Sequence, residues 1–183
     1  EANRIAIDDV GFMRALVAEF VQAHNANPRE VFATGISNGG QLALRLALEA
    51  PDLVAAVASV AASLPAQDNM DCVPTDKSAS VLVMNGTNDP MNPFHGGSVA
   101  LYGLLGGRGE VISSIATVKY FAELAGHTQI PSIILLEDTV TDDNSTIEVT
   151  SWQDTDKETP RDSVALCRAV GGGHGGPQPA TNA

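Results

Sequence analysis

The chain has 183 residues, enough for one domain with a sizeable core and too few for two. Its 44% hydrophobic content is ordinary for a globular protein, but only 4% is aromatic, so Ala, Val, Leu and Ile must build most of the core. The 22 acidic residues against 10 basic ones give a formal charge of −12, which argues against nucleic acid and anionic membrane surfaces as partners, because a polyanion would repel the chain. No apolar run reaches the roughly 18–20 residues that span a bilayer.

Asp8 and Asp9 precede Val10, Met13, Leu16, Val17, Phe20 and Val21, a spacing that predicts an amphipathic helix with an acidic N-terminus. It should end near His24, before a turn at Asn27-Pro28. VFATG (31–35) is a short apolar run of strand formers, and the sequence from Asn38 to Ala50 predicts a helix closed by Pro51. LVAAVASVAA (53–62) fits helix or strand by periodicity alone; its length and its place after a helix favour a buried strand at its centre. A polar loop over 65–78 carries Cys72, and SVLVMNG (80–86) is the clearest strand.

The Gly-rich stretch from Gly96 to Gly109 reads as a loop. Ser113 or Ser114 can cap a helix carrying Ile115, Val118, Phe121 and Leu124, with Gly126 ending it. After Pro131 come three strand-like runs, SIILLED, TIEVTSWQ and SVALCRAV, and the last two should pair as an antiparallel ladder. QPATNA reads as a loose tail. The opening EANRIAIDDVGF has no initiator Met, no basic n-region and no apolar h-region, so the expectation is that the chain begins inside a longer protein. Alternating strands and helices predict an α/β fold, a mainly parallel sheet covered on both faces. The two cysteines, Cys72 and Cys167, show no metal-ligand spacing; a mutual bridge, a bridge to a cysteine elsewhere and two free thiols all stay open.

The chemistry is concentrated in G-I-S-N-G (35–39), followed by Gly40. A serine hydroxyl is a poor nucleophile unless it is exposed and held beside a base. A nucleophile elbow exposes it by setting Ser on a strained turn between a strand and a helix, with small residues two before and two after because the two backbones nearly touch. Gly35 and Gly39 are expected to meet that need, and Gly40 to permit still closer packing. A bare G-x-S-x-G is a weak signal in a Gly-rich chain, and a Gly-rich turn with an incidental serine is the plain alternative. Here a strand ends at Gly35 and a helix starts at Asn38, which is the required context. Ser37 is therefore the candidate nucleophile. The N–H of Asn38, at a helix N-terminus, is one candidate donor to an oxyanion.

In this arrangement the acid and then the histidine follow the serine in chain order. Asp89, in NGTNDP three residues beyond the strong strand, is the candidate acid; by itself it would read as a turn former before Pro90. Asp138, Asp142, Asp143 and Asp154 sit in or beside polar turns. Of the histidines, His24 is a helix-end residue, His95 lies too close to Asp89 in sequence, and His127 sits at a helix C-terminus where a structural role is favoured. His174, in GGGHGGP after the last strand, is the candidate base, since glycines on both sides give its imidazole room.

With these residues placed, the chain resembles the polyhydroxybutyrate depolymerase-like and feruloyl esterase-like branch of the α/β-hydrolases. The resembling stretches are IDDVGFMRALV, NPREVFATGISNGG, LALEAPDLVAAVA, SVLVMNGTNDPMNPFHGG and GGGH, spread across nearly the whole chain. The resemblance implies a secreted serine esterase with the α/β-hydrolase fold that works through an acyl-enzyme and needs no cofactor and no metal. Its substrates would be polyhydroxyalkanoate, feruloyl, acetyl or simple esters. It also implies that residues 1–183 are the C-terminal two-thirds of one catalytic domain. The first strands, the HGG-type oxyanion loop and a closing helix would then be supplied by residues outside this chain or by another chain. One departure is local: Gly175 and Gly176 stand where the family has a bulky apolar residue after its histidine, which bears on the cleft's shape. Two other readings are a serine peptidase of the prolyl-oligopeptidase type, whose elbows also read G-x-S-x-G-G, and a non-catalytic α/β-hydrolase used for binding. Ester against amide turnover separates the first, and the presence of all three residues argues against the second.

Overall fold

The structure, a computed structural model, describes residues 7–100, 109–139, 143–153 and 162–175. The expectations placed on Asp142, Asp154, Gly176, the middle of the Gly-rich stretch and the QPATNA tail lie outside the described residues.

Helix α1 (Asp9–His24) starts where the Asp8 carboxylate accepts a hydrogen bond from Gly11 N at 2.7 Å, and it stops at Asn25, whose φ of 54° is left-handed. Strand β1 (Phe32–Ile36) leads into α2 (Asn38–Glu49), followed by β2 (Ala56–Val60) and β3 (Ser80–Gly86). The short strands β4 (Gly97–Ser98) and β5 (Glu110–Val111) pair antiparallel at the two ends of the Gly-rich stretch, where only a loop was expected. Two residues are too few to leave a periodic trace in the sequence, and Gly96 and Gly109 supply positive φ values of 82° and 83° beside them. Helix α3 (Ser114–Leu124) is capped by Ser113, whose hydroxyl accepts from Ala116 N, and Gly126 follows it at φ 77°. Strands β6 (Ser132–Leu135), β7 (Thr146–Trp152) and β8 (Val164–Val170) complete the described chain.

Six strands form one sheet in the order β1-β2-β3-β8-β7-β6. The first four are parallel; β7 runs antiparallel to β8, as expected, and β6 antiparallel to β7. The fold is thus α/β with a mainly parallel sheet, and the parallel half carries the candidate residues. Parallel register aligns Val57, Val81 and Val164 in one row and Ser59, Val83 and Leu166 in the next. These rows are buried in a common core with Leu44, Ala47 and Leu48 of α2 and Val118 and Phe121 of α3. Each fully buried side chain of the larger kind contributes about 1.5–3 kcal/mol, so this layer is where the stability concentrates.

The core therefore lies on one face, which α2 and α3 share. On the other face a second row crosses the whole sheet: Ile36, Val60, Met84, Cys167, Val149 and Ile134. No helix among the described residues covers it, and Phe32, Ile36 and Ile134 are more than half exposed. Helix α1 is peripheral as well. Val10 and Met13 lean on the core, but Phe12, Leu16 and Phe20 face outward and no residue of the helix is fully buried. Among the described residues, no helix is long and apolar enough to cross a membrane.

Candidate active site

Ser37 stands between β1 and α2 with φ 54° and ψ −119°, backbone angles that cost a non-glycine residue strain. Two backbone hydrogen bonds hold it there: its N–H donates to Val60 O at 2.8 Å, and its C=O accepts from Gln41 N at 3.0 Å. Its side chain makes no capping bond to the helix, so Oγ is left free at the sheet's C-terminal edge. The N–H groups of Asn38, Gly39 and Gly40 open the first turn of α2, where an α-helix offers no internal acceptor. A Cβ on Gly35 would stand 2.2 Å from the backbone carbon of Gly39, and one on Gly40 would stand 2.8 Å from Ser59 Oγ. A Cβ on Gly39 would meet nothing within 4 Å. The expectation for Gly39 is corrected accordingly: it lends its backbone to the contact, while the positions that must lack a side chain are Gly35 and Gly40.

Asp89 and His174 are brought together by the ends of β3 and β8, which are neighbours in the sheet. Beyond Val170 the chain crosses the end of β3. Gly171 N donates to Thr87 Oγ1 at 2.9 Å and Asn88 N donates to Gly172 O at 2.9 Å. The crossing is tight enough that a Cβ on Gly86 would come within 2.3 Å of Gly172 O. It delivers His174 to Asp89, and His174 Nδ1 donates to Asp89 Oδ2 at 2.8 Å. The other carboxylate oxygen, Oδ1, accepts from Met91 N at 2.8 Å and Asn92 N at 2.9 Å. The Asp89 side chain is fully buried and that of His174 is 17% exposed. An ionised carboxylate only accepts, so its bond fixes the proton on Nδ1 and leaves Nε2 as the basic nitrogen. Ser37 shares this edge of the sheet two strands away, about 10 Å at ordinary strand spacing. No hydrogen bond joins it to His174 among the described residues.

The remaining candidates fall elsewhere. His127 is buried behind α3, with Nε2 donating to Asp162 O at 2.8 Å and Nδ1 accepting from Gln129 Nε2 at 3.0 Å. His95 is exposed and meets Phe94 edge to face, and His24 lies against Phe20 at the end of α1. Asp143 caps its own turn by accepting from Ser145 N. Cys72 and Cys167 are both free thiols; burial pushes Cys72 up to about 11 and raises Cys167 too, which disfavours the thiolate in both. Sequence reasoning missed the two backbone donors to Asp89, although the D-P-M-N turn signal pointed to them. It also missed Asn85, a polar residue in the inward row of the strongest strand.

No known protein-family profile matches the chain. Over 92 residues, 50% of this chain and 26% of the relative, it is 47% identical to a protein described as "Putative esterase NocK" of Nocardia uniformis subsp. tsuyamanensis. Among solved structures, an acetyl xylan esterase from Aspergillus awamori superposes with a TM-score of 0.56 at 16% identity, across 92% of this chain and 62% of that one. The chain spans about a quarter of the length of the first and less than two-thirds of the second. At that identity the structural likeness speaks for the fold, and the fold it shows is an α/β-hydrolase-like one.

Proposed function

We propose that this chain carries the catalytic residues of a serine carboxylic ester hydrolase. The observation that carries this reading is the Asp89–His174 hydrogen bond at the same sheet edge as a strained serine whose hydroxyl is free. The sequence likeness to one esterase and the fold likeness to another support it. His174 Nε2 takes the proton of Ser37 Oγ as the oxygen attacks the ester carbonyl. Asp89 keeps the imidazole in the required tautomer and stabilises the imidazolium. Asn38 N–H, aided by the positive end of α2, meets the negative charge that develops on the carbonyl oxygen. The imidazolium then protonates the departing alkoxide, leaving an acyl-serine, and a water activated by the same His174 releases the acid.

The finer reading is a member of the polyhydroxybutyrate depolymerase-like or feruloyl esterase-like branch, secreted, cofactor-independent, and acting on polyester, hydroxycinnamoyl, acetyl or simple esters. It rests on the resembling stretches around the elbow, around NGTNDP and at GGGH. A second oxyanion donor and the cover for the apolar sheet face come, in this reading, from polypeptide beyond these residues. The test is covalent. A fluorophosphonate should label the whole protein at Ser37, and Ser37→Ala should lose both label and ester turnover; labelling at another serine would overturn the assignment.

A further inference from the structure

Asn85 breaks the pattern of its row. Strand β3 turns Val81 and Val83 into the core, and the next inward residue is an amide with no solvent exposure. Burying an amide is costly unless each polar atom finds a partner. Asn85 Oδ1 accepts from Ala62 N at 3.1 Å, and the two hydrogens of Nδ2 are shared among Ala62 O at 3.2 Å, Ser63 Oγ at 3.1 Å and Ser114 Oγ at 2.7 Å. Strand β2 ends at Val60; Ala61 N still donates to Met84 O at 2.9 Å, and its φ of 50° turns the chain after it off the regular ladder. The Asn85 side chain therefore treats Ala62 as a neighbouring strand would, pairing with both its N–H and its C=O.

The segment so clamped touches both halves of the site. On one side Ser37 N–H donates to Val60 O, and Gly40 packs so closely that a Cβ there would stand 3.0 Å from Ala62 Cβ. Ser59 Oγ, the atom nearest to Gly40, donates to Ala62 O at 3.3 Å. On the other side Asn92 Nδ2 donates to Ser63 Oγ at 3.4 Å, and Asn92 N donates to Asp89 Oδ1. One buried chain of polar contacts thus runs from Asn85 through Ser63 and Asn92 to Asp89 and on to His174.

We infer that Asn85 is a positioning residue for the reaction at Ser37: it fixes residues 61–63, against which the nucleophile elbow and the acid-bearing turn are both set. It touches no substrate and acts through Ala62 and Ser63. The inference rests on the reading of Ser37, Asp89 and His174 as the catalytic set. Its specific content is that Asn85 governs their separation, where a stabilising residue would govern only whether the domain is folded.

The test compares Asn85→Ala with Val118→Ala in the whole protein, using p-nitrophenyl acetate, thermal melting and proton NMR. Val118 is buried in the same core and takes no part in the polar chain. Small displacements of a reacting group far from the change cost up to about 10²-fold in rate. Asn85→Ala should therefore lower kcat about 10- to 100-fold with KM within about threefold. Val118→Ala should lose stability while keeping kcat within about threefold. The low-field resonance of the His174 Nδ1 proton should shift or broaden in Asn85→Ala and stay in place in Val118→Ala. If Asn85→Ala does not fold, Ser63→Ala, which removes one hydroxyl, should still lower kcat by about three- to tenfold. A kcat within threefold of wild type in the folded Asn85 variant, or in Ser63→Ala where that one stands in, would overturn the inference. Ser37→Ala run alongside keeps the two readings apart. Turnover surviving in that variant brings down the hydrolase reading itself, whereas an inactive Ser37→Ala beside an unimpaired Asn85→Ala brings down the positioning role alone.

Discussion

The carboxylate of Asp89 gives one oxygen to its own turn and the other to His174. A residue that sequence patterns mark as a turn former can therefore also orient an imidazole, and the two roles reinforce each other because the turn donors fix the carboxylate. Replacing His174 by Ala should lower kcat by roughly 10³-fold or more, leaving binding and oxyanion stabilisation. His95→Ala and His127→Ala should cost far less turnover; a larger loss at His127 would contradict the assignment of the base. The glycines at the elbow give a second expectation at this scale. Gly39→Ala should leave the melting temperature unchanged or raise it slightly, since the added methyl meets open space and Ala is the better helix former by about 1 kcal/mol. Gly35→Ala must push backbone against backbone and should cost about 1–3 kcal/mol or more, read from denaturant midpoints of the two variants side by side.

At the scale of elements, α1 is held by its ends and one tether more than by its apolar stripe. Arg14 donates to both carboxylate oxygens of Asp52, each at 2.7 Å, joining the helix to the turn ahead of β2. The hydrogen bond from Arg14 holds Asp52 well below the usual carboxylate range, at about 2. A depressed folded-state value means the contribution is fully present above the unfolded value near 4 and is lost as pH falls through about 2. Both side chains are about half exposed, so solvent screening keeps the effect to at most about 1 kcal/mol. Asp52→Asn should melt slightly below wild type at pH 7, and the gap should close between pH 4 and pH 2. A gap that stayed constant across that range would show that the pair contributes nothing.

For the whole molecule, the asymmetry of the sheet governs. One face is packed by α2 and α3, and the other presents the row from Ile36 to Ile134 with no described helix upon it. An apolar face of this extent, without a helix upon it among the described residues, is the kind of surface that other polypeptide covers in many proteins. This is the reason for proposing that the domain is completed from beyond these residues. Phe32, on the edge strand of that face, is 69% exposed here and provides the probe. In the whole protein Phe32→Lys should destabilise by several kcal/mol if the face is covered, since a buried unpaired charge is left behind. A change within about 0.5 kcal/mol, the usual range for an open surface, would show the face bare.

The elements most legible in the sequence were those set by local physics. SVLVMNG is a continuous run of apolar strand formers and became β3 with its predicted bounds, Ser113 caps α3 through its own hydroxyl, and Ser37 stands at a strand-to-helix turn because glycines flank it. The choice of Asp89 and His174 over other acids and histidines also rested on local context, namely their places just past strand ends. What the chain alone did not show was decided by strand order. The adjacency of β3 and β8, separated in sequence by a helix and four strands among the described residues, is what lets the Gly-rich run cross over Gly86 and deliver the imidazole. The same register lines up six apolar residues from six strands on a face that no helix among the described residues covers, although each alone reads as an ordinary core position. It also sets Asn85 against Ala62, 23 positions away in the chain. Pairing of this kind depends on which backbone groups remain unsatisfied once a strand ends, and that is a property of the assembled sheet.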